Sequence, residues 1–187
     1  MASEPRKTLV TPEGRASYVN ILTPRKNDLS GEDEYSMVLI FPSGADLKPL
    51  RALAEATARA KWPNGLPAGL KNPVRKSDDL TEKKEGYDSG THFITVKCSA
   101  SRGRPGIVDA DRNEVLDSQR VYSGMYARAE VTCYAFDKKG NKGVAFGLNH
   151  VQILRDGPPL GSRTRVEDAF KPAAGTSDGS ASSLFDS

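Results

Sequence analysis

Arg120–Phe136, RVYSGMYARAEVTCYAF, alternates with a period of two. Val121, Ser123, Met125, Ala127, Ala129, Val131, Cys133 and Ala135 are small to medium and almost wholly apolar, while Arg120, Tyr122, Gly124, Tyr126, Arg128, Glu130, Thr132, Tyr134 and Phe136 fill the other phase. Successive side chains of a strand point to opposite faces. The spacing therefore predicts a strand with one face in a core and the other showing tyrosines interleaved with arginine. Such a surface suits flat, anionic polymers, because bases stack on rings and phosphates meet cations. A strand buried on both faces, with the tyrosines as packing residues, fits the same pattern, and this stretch leaves both readings open.

Outward from it, the turn Asp137-Lys138-Lys139-Gly140-Asn141 leads into a last strand over Lys142–Leu154, where Gly143, Gly147 and Asn149 point to bulges or sharp coiling. Upstream, Arg15–Leu22 reads as a first strand stopped by Thr23-Pro24. Tyr35–Phe41 (YSMVLIF) is a near-continuous apolar run, as expected of a strand covered on both faces. A helix follows over Asp46–Lys61: Asp46 can accept from first-turn amides, Pro49 falls in that turn, and Leu50, Leu53, Ala54 and Thr57 form the inner stripe. Trp62–Asp88 reads as a long loop, His92–Ala100 as a strand, and Arg104–Asp117 as a hairpin-like segment. The expected fold is mainly β, an OB-fold barrel of about five or six coiled strands with one substantial helix after the second strand and a long basic loop. The domain is expected to span 1–170, and the small, polar residues 171–187 read as a flexible tail.

The net charge is only +3 over 187 residues, but the charges are segregated along the chain. Lys48, Arg51, Arg59, Lys61, Lys71, Arg75 and Lys76 are set against Glu55 alone, and acids gather at Glu32-Asp33-Glu34, at Asp78-Asp79 and from Asp109 to Asp117. Segregation of this kind builds a local anion groove, or else the solvated face of a helix. Cys98 and Cys133 fall on apolar phases and read as buried free thiols, and His92 and His150 stand apart from any zinc spacing. No apolar run approaches a membrane span, and from the polar start MASEPRKTLVTPEGR a cytoplasmic protein is expected.

Two strands put a ring and a cation on the phase opposite their apolar residues: Phe93 with Lys97, and Tyr122 and Tyr126 with Arg128. These are the predicted stacking and phosphate-binding residues. Arg102 and Arg104 join them, Lys138, Lys139 and Lys142 extend the basic track, and Trp62, Lys71, Arg75 and Lys76 offer a second contribution from the long loop. Trp62 equally fits packing at the helix end. For catalysis there is no phosphate-binding Gly-Lys-Ser/Thr loop, no His-Glu-x-x-His and no Cys–His pairing. Asp109-x-Asp111-x-Asn113 begins like a calcium loop, yet Glu114 occupies the glycine position and Arg120 the position of the bidentate glutamate. It reads as an acidic hairpin tip, and no metal or other cofactor is expected.

The segment Val121–Phe170, with RPGIVD at Arg104–Asp109 and GLNHVQ at Gly147–Gln152, resembles the C-terminal half of phage and prophage single-stranded DNA-binding proteins, which are similar in fold to the T7-type helix-destabilising protein. The resemblance is most specific from His92 to Phe170. It implies a non-enzymatic OB-fold protein that coats single-stranded DNA in replication or recombination. It also implies a tail that recruits polymerase, helicase or primase, here through Leu184, Phe185 and Asp186. This chain departs from the acidic-tail pattern, since Asp178 and Asp186 are the only acidic side chains in its last stretch. The rivals are a protein-interaction module of phage recombination or assembly, and a metal-dependent nuclease built on Asp109, Asp111 and Asp117.

Overall fold

A computed structural model describes residues 7–161 and Phe170. Its strands are β1 (Leu9–Val10), β2 (Gly14–Lys26), β3 (Asp33–Phe41), β4 (Arg75–Lys76), β5 (His92–Ser99), β6 (Gly106–Val108), β7 (Tyr126–Lys138) and β8 (Asn141–Arg155). One helix, α1 (Lys48–Lys61), follows β3. β2 pairs antiparallel with β3 and with β7, and β3 pairs antiparallel with β5. β5 runs parallel to β8, which pairs antiparallel with β7 and closes the ring. This is the closed five-stranded OB barrel expected from the sequence, with β1, β4 and β6 added at its margins.

Residues on alternate positions fill the interior. Met37, Leu39 and Phe41 of β3, Ile94 and Val96 of β5, Ala127, Ala129 and Val131 of β7, and Phe146, Val151 and Ile153 of β8 share one apolar cluster. β3 is buried on both faces, because Val38 and Ile40 form a second cluster with Phe93 beneath Leu80, Tyr87 and Leu160. α1 packs on β7 and β8 and adds Leu50, Ala54 and Ala58 to the main core, while Leu53 and Thr57 are only half-buried. It begins two residues later than expected, although Asp46 Oδ1 does accept from the Lys48 amide at 3.1 Å.

Three expectations shift. β2 does not stop at Thr23-Pro24 but continues to Lys26. Between Asn20↔Ser36 and Arg25↔Glu34 the residues 21–24 face Tyr35 alone, so Pro24 lies in a bulge where no ladder donor is needed. Asn149 is the bulge in β8, since Glu130 pairs with His150 and Val131 with Leu148. The key strand begins at Tyr126, so Arg120–Met125 is turn and extended chain rather than strand. The long loop is also not shapeless: it contains β4 and a single 3-10 turn at Ser77–Asp79. Asp78 accepts from the Gly90 amide at 3.0 Å and from Ser89 Oγ at 2.8 Å, which ties the ends of its second half together. Among the described residues, no helix is long and apolar enough to cross a membrane.

Candidate nucleic-acid interface

Strand register orders the outer surface of the barrel into rows. Arg15, Ile40, Phe93 and Arg75 form one row, and Ser17, Val38 and Thr95 the next. Asn20, Ser36, Lys97, Gly147 and Thr132 form a third, and Arg25, Glu34 and Ser99 a fourth. The first rows are roofed by Leu80, Tyr87 and Leu160. The later rows open into a cleft of about 490 Å³ between the β2–β3 turn, the end of β5 and the β7–β8 hairpin. OB barrels bind oligonucleotides on their second and third strands between these two loops.

The cleft has a basic wall of Lys97, Arg102 and Lys138 and, in direct contact with it, an acidic rim of Glu32, Asp33 and Glu34. Lys97 Nζ lies 3.5 Å from Glu34 Oε2, and Asn27 Nδ2 donates to the other oxygen of that carboxylate at 3.0 Å. Asn27 Oδ1 in turn accepts from the Leu29 amide at 2.9 Å, which fixes the acidic turn. Thr132 and Tyr134 of β7 line the cleft beside Gly147. A Cβ at Gly147 would lie 2.6 Å from Thr132 Oγ1 and 3.8 Å from the Tyr134 ring, so glycine is what lets β7 and β8 lie this close here. Burial, with the Glu34 charge adding to it, raises the Tyr134 hydroxyl above its ordinary value and keeps it a neutral donor. Burial likewise raises the Cys98 thiol, which packs against the main core from one side and lines the cleft from the other.

The predicted cations divide. Lys97, Arg102 and Lys138 converge on the cleft. Lys139 is exposed in the adjoining turn, and Lys142 pairs with Asp137 at 3.7 Å. Lys71 reaches the same hairpin through its amide, which donates to Lys142 O at 3.2 Å. Arg104 and Lys76 are exposed away from these lining residues. Arg75 sits 5.1 Å from the centroid of the Phe93 ring, and Trp62 is half-buried against the core at the end of α1.

The predicted stacking residues are not open platforms. Phe93 is buried, with Tyr87 edge-on at 5.2 Å and Arg75 over its face, because the loop folds onto the outside of β3 and β5. Arg155 covers the Tyr126 ring at 3.7 Å and pairs with Glu13 at 2.8 Å. Tyr122 lies off the strand, its hydroxyl donating to Gly157 O at 3.0 Å, and it helps hold the segment after β8. Arg128 donates to Gln152 Oε1 at 2.7 Å, and Gln152 donates to Asp109 O at 3.1 Å. These residues therefore stitch β7 to β8 and to the 109–113 turn.

Asp109 caps that turn. Hydrogen bonds from the Asn113 and Asp111 amides hold its carboxyl below the usual aspartate value, with Arg120 3.7 Å away. Among the described residues no group of His, Cys, Asp or Glu is arranged to hold a metal ion. Leu184, Phe185 and Asp186 lie outside the described residues. Two further rings are not singled out by sequence pattern. Tyr134 belonged to the alternating set, and its position next to Gly147 was invisible without the β7–β8 register. Tyr18 sits in β2 with 51% of its surface exposed, and no local pattern set it apart.

Comparison with known proteins agrees with the fold. The putative protein p50 of Acyrthosiphon pisum secondary endosymbiont phage 1 is 26% identical over 153 residues, covering 76% of this chain and 80% of its own. The single-stranded DNA-binding protein of bacteriophage Enc34, solved in complex with ssDNA, matches with a TM-score of 0.69 at 21% identity, over 82% of this chain and 89% of that one. The single-stranded DNA-binding protein gp2.5 of bacteriophage T7 matches at 0.60 and 15% identity, over 93% of this chain and all of the other. At such identities the structural likeness speaks for the fold. The family described as Enterobacter phage Enc34 ssDNA-binding protein matches residues 7–180, which takes in the whole described barrel and both walls of its cleft; the chain belongs to that family.

Proposed function

We propose that the protein binds single-stranded DNA in the cleft without reading sequence, and that it does so as a coating protein of phage replication or recombination rather than as an enzyme. The observation that carries this reading is the basic wall of Lys97, Arg102 and Lys138 standing beside the Tyr134 ring. Phosphates along the wall release counterions, and a base against the ring stacks whatever its identity. Glu32, Asp33 and Glu34 set carboxylates in the same lining. The three cations match the phosphates of one backbone, whereas a second backbone of a duplex would add charge beside these carboxylates, of which Glu34 already contacts Lys97. Single strands are therefore favoured by repulsion as well as by access to bases. Residues 171–187 are assigned the role of a tail whose Leu184, Phe185 and Asp186 dock a replication protein.

The test is a titration of oligothymidine from low to physiological salt, with hairpin DNA as competitor. Affinity should fall by about 0.7 in log K per log salt for each phosphate neutralised, and the hairpin should compete poorly. A salt-independent affinity, or a preference for the hairpin, sinks the reading.

A further inference from the structure

Tyr18 is an exposed ring on a strained backbone. Its φ is +46°, in the left-handed region that a bulky residue seldom occupies. The strain comes from a bulge in β2: Tyr18 and Val19 together face Met37 between the pairs Ser17↔Val38 and Asn20↔Ser36. Two bonds hold the bulge open. Asn20 Nδ2 donates to Tyr18 O at 3.0 Å, and the Val19 amide donates to Ser123 Oγ at 3.3 Å. Burial does not offset this strain, since half of the residue's surface stays in solvent. Glycine would adopt the same φ without a steric cost, so what a tyrosine adds here is its ring.

The place of that ring is defined by register. Asn20, two residues along β2, lies across from Ser36, and Ser36 lies across from Lys97 on the basic wall of the cleft. A polymer leaving the cleft at Lys97 and crossing the half-buried row of Ser36 and Asn20 therefore arrives at Tyr18. There Lys84 Nζ stands 5.3 Å from the centroid of the ring, brought by the second half of the long loop. The ammonium lies over one face of the ring, but unlike Phe93 the residue keeps half of its surface in solvent, so the ring still offers a stacking face beside a phosphate charge, the pairing a nucleotide requires. We infer that Tyr18 and Lys84 form a second nucleotide-binding position outside the cleft, which takes an unpaired base of the same single strand as it passes over β3 and β2. The inference rests on the reading of the cleft as a single-stranded DNA site and extends it.

Equilibrium binding of oligothymidines of increasing length to the full chain separates the two. Short strands that fill only the cleft should bind the native protein and Tyr18→Ala equally. Strands long enough to reach β2 should bind Tyr18→Ala about tenfold more weakly, while Tyr18→Phe, which keeps the ring, restores the affinity. An abasic spacer scanned along the long strand should reproduce the loss in the native protein and add nothing in Tyr18→Ala. Lys84→Ala should lower the salt slope on long strands by about 0.7. Tyr18→Gly should bind like Tyr18→Ala yet melt higher, because it releases the bulge strain. If the native protein binds long strands and Tyr18→Ala matches it at every length, the second position does not exist and the cleft stands. If the native protein binds no strand at all, the cleft reading fails and this one with it. A Tyr18→Ala variant with unchanged DNA affinity but altered self-association would make the ring a contact between copies, which overturns the inference.

Discussion

The two ends of β7 carry the same kind of residues and have opposite fates. At the first end, Tyr126 lies beneath Arg155, and Arg128 is tied to Gln152. At the other, Thr132 and Tyr134 face a cleft with Lys138 at its mouth. What separates them is what each end meets. The first meets the last residue of β8 and the chain beyond it, where Gly157 accepts from Tyr122 and Pro158 O accepts from Arg15. The second meets a glycine at position 147 and the gap between β5 and the hairpin. An aromatic–cation alternation therefore marks a surface strand, and only the neighbouring chain decides whether its rings are covered by the fold or left lining a cleft.

The comparison can be broken at the cleft first. Replacing Lys97, Arg102 and Lys138 together by glutamine should cost the largest part of the affinity for single strands, about a hundredfold at low salt, and reduce the salt slope by about 2. Native binding by this variant would move the site elsewhere on the barrel.

A pair of single substitutions sharpens it. Tyr134→Ala should weaken binding by about 1–3 kcal/mol, the worth of one stacked base. Tyr126→Ala should leave binding nearly intact and instead lower stability by about 1 kcal/mol, or about 3 °C in melting temperature, because a half-buried ring is lost. Measuring both variants by DNA titration and thermal melting checks the assignment; an exchange of the two outcomes would reverse it. The smallest effect belongs to the rim. Glu34→Gln frees Lys97 from its partner and should raise affinity for single strands about threefold at low salt, an effect that fades as salt screens the pair. No change at any salt would mean that Lys97 does not touch the strand.

Acid should act on the structural end. The hydrogen-bonded carboxyl of Asp109 lies below its ordinary value of 3.8. Its contribution is complete above that value and is lost as pH falls through the lowered one.

Local order was legible in the chain. The apolar run of β3, the helix after it, the bulge at Asn149 and the alternation of β7 follow from periodicity, proline and glycine placement, and those features suffice for a small coiled barrel. Lys97, Arg102 and Lys138 were legible as cations outside the core, and the structure brings them to one cleft, because long charged side chains on strand ends and turns have little else to do in a core. The aromatics were not, because a ring is equally at home under a loop or under a base. Phe93 shows this: its phase on β5 pointed outward correctly, yet the loop just before β5 folds back over it through Leu80 and Tyr87, joined by Leu160.

The sequence by itself determined that this protein is a barrel with segregated charge, since side-chain period and backbone-breaking residues act over a few positions. Only the tertiary structure decided which rings face solvent, which lysine meets a carboxylate and where the cleft opens. Those outcomes depend on strand register and loop docking, which bring together residues such as Lys97 and Glu34, or Tyr134 and Gly147, that no local pattern connects.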